Sequence, residues 1–316
     1  MDRNVALVLG GGGAAGNAWQ IGVVAGLAEA GFDLTEAADL VIGTSAGATV
    51  AAQVRSGVPA AELLASVLSE AGRPVAGGTG PGRPSHSPSS AAASLPMETV
   101  FARMREISAA ATSALELQRA MGAFGLESDA VLAAEAGEQR RALVASRLPG
   151  AEWSDRAMVV VAVDAHTGEV AALDREPGIE LVDAVTASTA LPGLVPTHAV
   201  NGKRYINGGV RSAENADLAA GYANVVVLSP FGGRGEAPLQ PGQFEGLRRS
   251  PEWGTDLPSQ VESLRKEGSR VEVITPDADS LAAMGTNQMD PATRVPAARA
   301  GYAQGKREAA RVAFAG

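Results

Sequence analysis

Apolar residues along this chain fall into two patterns. Short, mostly unbroken apolar runs at 5–9, 40–42, 158–163, 225–228 and 271–274 have the length and the Val/Ile content of strands buried on both faces. Between them, longer stretches read as helices: 17–30, closed by Gly31; an Ala/Val-rich segment running to Arg55; 60–71; 96–124; 129–147; 258–267; and 291–314. Val100, Met104, Ile107 and Ala111 show the three- and four-residue spacing most clearly. A short helix over 181–191 is stopped by Pro192-Gly193. A turn at His166-Thr167-Gly168-Glu169 returns the chain as a strand over 170–173, and Asn201-Gly202 predicts a hairpin. Strands alternating with helices predict an α/β fold, with a mainly parallel sheet covered on both faces.

Two stretches break the pattern. Residues 72–94 are dense in Gly, Pro and Ser, including Gly77-Gly78-Thr79-Gly80-Pro81-Gly82, and cannot bury enough apolar surface to order themselves. They read as a disordered insertion rather than a lid, and His86 inside them is given no catalytic role. Residues 231–257 read as a surface loop. With no internal repeat and no other linker, residues 1–316 form a single domain, in which the helical block 96–147 covers the mouth of any site built from the preceding loops.

Composition narrows the function classes. A net charge of −9 and a pI near 5.0 argue against nucleic acid as a partner. The absence of Cys excludes disulfides, thiolate catalysis and Cys-based metal sites. Three dispersed histidines, His86, His166 and His198, do not suggest a zinc site, so no metal is expected. Five apolar residues after Asn4 are too few for a secretory signal, and no run approaches the ~18 of a membrane span. The expectation is a soluble, cytoplasmic protein.

Candidate chemistry sits where the first two strands end. Gly43-Thr44-Ser45-Ala46-Gly47 follows the second strand and opens a helix, the context of a nucleophile elbow, with Ser45 at a helix N-terminus where N–H groups favour negative charge. The bland alternative is a Gly/Ser turn that caps the helix. After the first strand, Gly11, Gly13 and Gly16 fit the G-x-G-x-x-G dinucleotide pattern. That reading wants an acidic residue at the end of the second strand, where this chain has the elbow instead. The same glycines can form a concave anion site beside Ser45, an oxyanion hole.

The Gly-rich turn, the Gly43–Gly47 elbow and a late Asn207-Gly208-Gly209 after Pro192-Gly193 and Pro196 together resemble the patatin-like acyl hydrolases, over residues 5–228. The resemblance implies a three-layer α/β/α sandwich and a Ser–Asp dyad acting on lipid or other acyl esters without histidine or cofactor. Transient contact with a membrane surface would follow from such a substrate. Carried over, Ser45 is the nucleophile, and Gly11, Gly12 and Gly13 line the oxyanion hole. The Ala46 N–H is expected to assist, as the residue after an elbow serine commonly does. Two positions depart from the pattern. Ala15 stands where Lys or Arg is frequent, and Asn207 stands where the dyad aspartate belongs. A carboxamide cannot accept the serine proton, so an inactive or strongly impaired chain is expected, with Ser45 Oγ still in contact with Asn207. An engineered substitution, a non-catalytic lipid or acyl binder, or a different base would each account for Asn207. The acceptors to weigh are Asp217, better placed as a helix-start residue, and His198, which would make a Ser-His-Asp hydrolase. On the acyl-hydrolase reading, NAD and FAD do not bind.

Overall fold

The computed structural model describes residues 5–70, 96–132, 135–232 and 249–312. The elements are β1 (Val5–Leu9), α1 (Gly13–Glu29), α2 (Leu34–Ala37), β2 (Leu40–Thr44), α3 (Ala46–Val54), α4 (Ala60–Leu68), α5 (Met97–Ala110), α6 (Ala114–Asp129), α7 (Ala136–Ala145), β3 (Met158–Asp164), β4 (Val170–Leu173), α8 (Leu181–Ser188), β5 (His198–Val200), β6 (Lys203–Asn207), β7 (Asn224–Leu228), α9 (Leu257–Lys266), β8 (Arg270–Ile274), α10 (Ala278–Met284) and α11 (Arg294–Val312). The insertion expected at 72–94 lies outside the described residues, as does most of the loop expected at 231–257.

All strands join one sheet in the order β5-β6-β3-β2-β1-β7-β8, with β4 also paired to β3. From β3 to β8 every pairing is parallel, whereas β4 and β6 run antiparallel to β3. β1 is fully covered because its alternate residues feed two cores. Leu7 and Leu9 pack with α1, α3, α4 and α11, while Ala6 and Val8 pack with α9 and the 216–219 turn. A third apolar cluster joins α5 and α6 to Val163, Ile206 and Val210. The fold is α/β with a mixed, mostly parallel central sheet between helical layers, as the alternating pattern predicts.

The tightest helix contact joins α1 to α11. A Cβ built on Gly22 would lie 2.2 Å from the Ala298 carbonyl oxygen, and one on Gly301 would lie 2.3 Å from that of Trp19, so the two backbones touch. Gln304 on α11 accepts from the Trp19 indole at 3.1 Å and donates to the Thr275 carbonyl at 2.7 Å, satisfying polar groups that the seam buries.

Several boundaries differ from the sequence reading for local reasons. The helix expected over 96–124 is two, because Ser113 caps a new start by accepting from the Glu116 N–H at 3.2 Å while Glu116 reaches back to the Thr112 N–H at 2.8 Å. That S-x-x-E pattern is a helix-start signal that the apolar spacing masked. Helix α7 begins at Ala136, not near 129, because Asp129 ends α6 by accepting from the Thr197 N–H at 2.8 Å and from Arg204 at 2.9 Å. Helix α1 starts at Gly13, four residues before the expected position, and α10 is an added helix capped by Asp277 on the Ser280 N–H at 2.9 Å.

Candidate active site

One residue separates β2 from α3, and it is Ser45. Its backbone lies at φ 55°, ψ −117°, a conformation that costs a non-glycine residue roughly 1–3 kcal/mol. The other described non-glycine residues at positive φ, Asn201 and Asn215, are of a type that tolerates it. The strained turn is held by its surroundings. The Ser45 N–H donates to Ser188 Oγ at 2.8 Å, from the last residue of α8. A Cβ on Gly47 would stand 1.9 Å from the Leu9 carbonyl oxygen, and one on Gly43 would stand 2.6 Å from Ala48 Cα. Only glycines allow the elbow to lie this close against β1 and α3.

The Gly-rich turn at the end of β1 faces the elbow: a Cβ on Gly11 would contact Ser45 Cβ at 3.5 Å. Its N–H groups divide into two sets. Those of Gly10 and Gly11 bond the carbonyls of Leu228 at 2.9 Å and Ala213 at 2.8 Å. Those of Gly12 and Gly13, and the Ala46 N–H at the start of α3, take no partner among the described residues. Gly11 therefore lines the space without a free donor.

Asn207 ends β6, beside Ala162 of β3, and brings its amide to the serine: Nδ2 donates to Ser45 Oγ at 3.0 Å. The amide orientation is fixed from behind, because Oδ1 accepts from the Gly209 N–H at 2.7 Å. Turning the amide over would set two N–H donors against each other and leave no acceptor for Gly209. Asn207 can therefore stabilise negative charge on Oγ and cannot take its proton. Arg249 braces the same turn through the carbonyls of Gly209 and Val210, the latter at 3.1 Å; burial lowers its pKa to about 10, against the pull of Glu214.

Ser45, Asn207, Gly11, Gly12, Gly13 and Ala46 line one cavity of about 450 Å³, a size suited to a small ligand. Phe101 and Met104 of α5 and Leu191 supply apolar wall, so the 96–147 block does reach the site. The other acceptors weighed from the sequence lie elsewhere. His198 pairs through Nε2 with Asp183 at 3.0 Å and does not line the cavity, which removes the geometry that a Ser-His-Asp reading needs. Burial lowers the His198 pKa despite that partner. Asp217 forms an ion pair with Arg211 at the start of the 216–219 turn. His166 sits exposed in its turn, whose N–H groups bond Asp164. Glu70 is the one carboxylate lining the cavity among the described residues, and Arg294 holds both its oxygens at 2.7 and 3.0 Å.

Sequence reasoning missed Ser188 and the cavity arginines Arg140, Arg147, Arg249 and Arg294. Each comes from a segment without local motif character, and only the folded chain assembles them.

A family model described as Patatin-like phospholipase matches residues 7–220, more than half of the chain. The match spans Ser45 and Asn207 and stops before α9, so it does not extend to Arg249 or Arg294. No curated protein matches the chain. No helix among the described residues is long and apolar enough to cross a membrane.

Proposed function

Because this chain belongs to the patatin-like phospholipase family, whose members act on lipid esters, we propose that its cavity is an acyl-ester site with Ser45 in the nucleophile position. In it Asn207 replaces the base, leaving the chain inactive or strongly impaired. The observation that carries this reading is the 3.0 Å contact from Asn207 Nδ2 to Ser45 Oγ, with Oδ1 already engaged by Gly209.

The chemistry follows from the donors and acceptors present. An ester carbonyl seated over Ser45 would develop negative charge on its oxygen as Oγ attacks. The unpartnered N–H groups of Gly12, Gly13 and Ala46, at the N-termini of α1 and α3, suit that charge. As the O–C bond forms, the serine proton must leave to an acceptor, and that acceptor must return it to the departing alcohol. A carboxylate at position 207 could do both, with one oxygen on Gly209 and the other on Ser45. The carboxamide can do neither, so formation of the acyl-serine is the step that fails. Water or a second alcohol would complete the cycle, giving hydrolysis or transfer.

A non-catalytic acyl binder is the second reading, and Asn207 itself favours it, since the cavity is formed but its base is missing. Intact-protein mass spectrometry after treatment with a fluorophosphonate tests both. The expected result is slow or absent labelling of this chain and one probe mass, located on Ser45, for Asn207→Asp. Absence of labelling in both would leave the binder. Equally fast labelling in both would overturn the role given to Asn207.

A further inference from the structure

Helix α7 carries two adjacent arginines whose surroundings differ. Arg141 reaches Asp183 and Glu180, each at 2.6 Å, and ties α7 to α8. Arg140 lines the cavity, and its Nε is buried without a hydrogen-bond partner. Arg147, in the turn that follows α7, reaches the same cavity, keeps more of its surface exposed and makes no ion pair among the described residues. Arg294, from the start of α11, closes the set; Glu70 holds its guanidinium and Asn17 Oδ1 accepts from it at 2.8 Å.

These three guanidiniums meet one carboxylate, an excess of two positive charges among them in a chain whose net charge is −9, and Arg249 also lines the cavity from the side of the Gly209 turn. Their mutual strain is visible in their acidity. Burial, then the charge of Arg147, lowers Arg140 to about 10; burial, then Arg294, lowers Arg147, with Glu70 pulling the other way. Cations that outnumber their counter-charges in a partly dry cavity are unfavourable until an anion enters. Among the described residues, Glu70 is the one carboxylate that lines the cavity with them. Planar guanidiniums bind phosphate oxygens in pairs, which suits them to this anion more than lysines would be.

Resting on the acyl-ester reading of the cavity, we propose that Arg140, Arg147 and Arg294 form an anion subsite that selects acyl esters bearing a phosphate monoester over those with zwitterionic or neutral headgroups. A phosphate monoester carries close to two negative charges near neutral pH, matching the excess of Arg140, Arg147 and Arg294 over Glu70, whereas a phosphocholine carries none overall. The ester end of such a ligand would lie toward Ser45, with its short acyl chain against Phe101, Met104 and Leu191.

Calorimetry on this chain tests the proposal with three probes: a monooctanoyl glycerol phosphate, the matching glycerophosphocholine, and inorganic phosphate. The phosphate monoester should bind at least about ten-fold more tightly than the phosphocholine. Arg140→Gln or Arg147→Gln should each weaken it about ten- to hundred-fold, the range of a lost charge-assisted hydrogen bond, and erase the headgroup preference. Arg103→Gln, at an exposed ion pair on α5, should change nothing. If the cavity variants fail to fold, a salt titration of the unsubstituted chain still decides, since the preference must narrow as ionic strength rises. Equal binding of the two esters, or a preference insensitive to salt, would overturn the subsite. If Asn207→Asp shows esterase activity in that case, the acyl-ester reading survives alone. Arginine-dependent binding of inorganic phosphate, with neither ester bound, would overturn the ester selectivity and the acyl-ester reading together.

Discussion

At the floor of the cavity, Ser45, the Gly11–Gly13 turn and Asn207 meet where backbones touch. At its rim, Arg140, Arg147 and Arg294 reach in on long side chains from α7, the turn after it and α11. The floor is held by short fixed contacts: Ser188 on the Ser45 N–H, Gly209 on the Asn207 amide, Ala213 on Gly11. At the rim, Glu70 holds Arg294, while Arg140 and Arg147 form no ion pair among the described residues. A floor of this kind fixes the atoms that would react and tolerates almost no change in shape. A rim of this kind can change its residues without disturbing the floor. Chemistry and selectivity are therefore separable, and substitutions on either side should show it.

The largest expected effect is at the floor. Asn207→Asp should raise turnover of a short activated ester by about 10²–10⁴-fold, roughly 3–5 kcal/mol of barrier, the usual worth of a general base. The restored rate should fall as acid protonates the new carboxylate. Adding Ser45→Ala should return activity to that of Ser45→Ala alone, because the two side chains act as one unit. His198→Gln should leave the gain in place. No gain from Asn207→Asp, measured alongside an unchanged melting profile, would show that position 207 is not where a base belongs.

Next in size, Gly47→Ala should lower stability by more than about 3 kcal/mol in urea titration, since its methyl group would stand 1.9 Å from the Leu9 carbonyl oxygen and neither backbone can yield. Arg147→Gln at the rim should stay within about 0.5 kcal/mol, having no ion pair to lose. Comparable losses from the two would dissolve the distinction between floor and rim.

The same distinction explains what the sequence could reveal. Gly43–Gly47 and Gly10–Gly13 are local devices: a strand, a turn too tight for side chains and a helix follow one another within a dozen residues, and composition alone signals them. Asn207-Gly208-Gly209 was recognisable only beside those two, and its contact with Ser45 crosses 162 positions. Arg140 and Arg294 are charged residues on helices with ordinary solvent-facing character, so nothing local marks them as cavity-lining. The parallel sheet was legible because β1, β2, β3 and β7 are buried on both faces and read as continuous apolar runs. Helix ends were not, where they depend on tertiary partners such as Thr197 for Asp129.

A smaller effect belongs to Arg141, whose bonds to Asp183 and Glu180 anchor the rim helix. Arg141→Gln should cost about 1 kcal/mol, because the guanidinium is partly exposed and its pairing is screened. It should also weaken phosphate-ester binding only modestly, by letting α7 shift. A loss of binding as large as that of Arg140→Gln would mean that Arg141 shares the subsite.

The smallest effect is a pair of opposed pH slopes in stability. Glu214 is buried beneath the Gly10 turn, accepting from Ser229 Oγ at 2.6 Å, and burial raises its pKa above the ordinary 4.5 against the pulls of Ser229 and Arg249. The folded chain then holds a proton that the unfolded chain releases. Its contribution is complete below 4.5 and is lost as pH rises through the raised value. His198 acts in the other direction. Burial lowers its pKa below 6.5, so the unfolded chain takes the proton first, and stability is lost as pH falls from 6.5 toward the depressed value. Asp183, facing His198, does not intrude; burial would raise it, but the bonds from Arg141 and His198 hold it below 3.8, in a more acid window. Urea midpoints measured from pH 5 to 8 should therefore climb more steeply toward high pH in Glu214→Gln than in the unsubstituted chain, and less steeply in His198→Gln. Glutamine at 214 keeps an oxygen for Ser229, so the comparison isolates the charge. If Glu214→Gln and the unsubstituted chain show the same slope, the buried carboxyl beneath the floor is not titrating in this range, and the cost of its burial is offset by contacts other than those with Ser229 and Arg249.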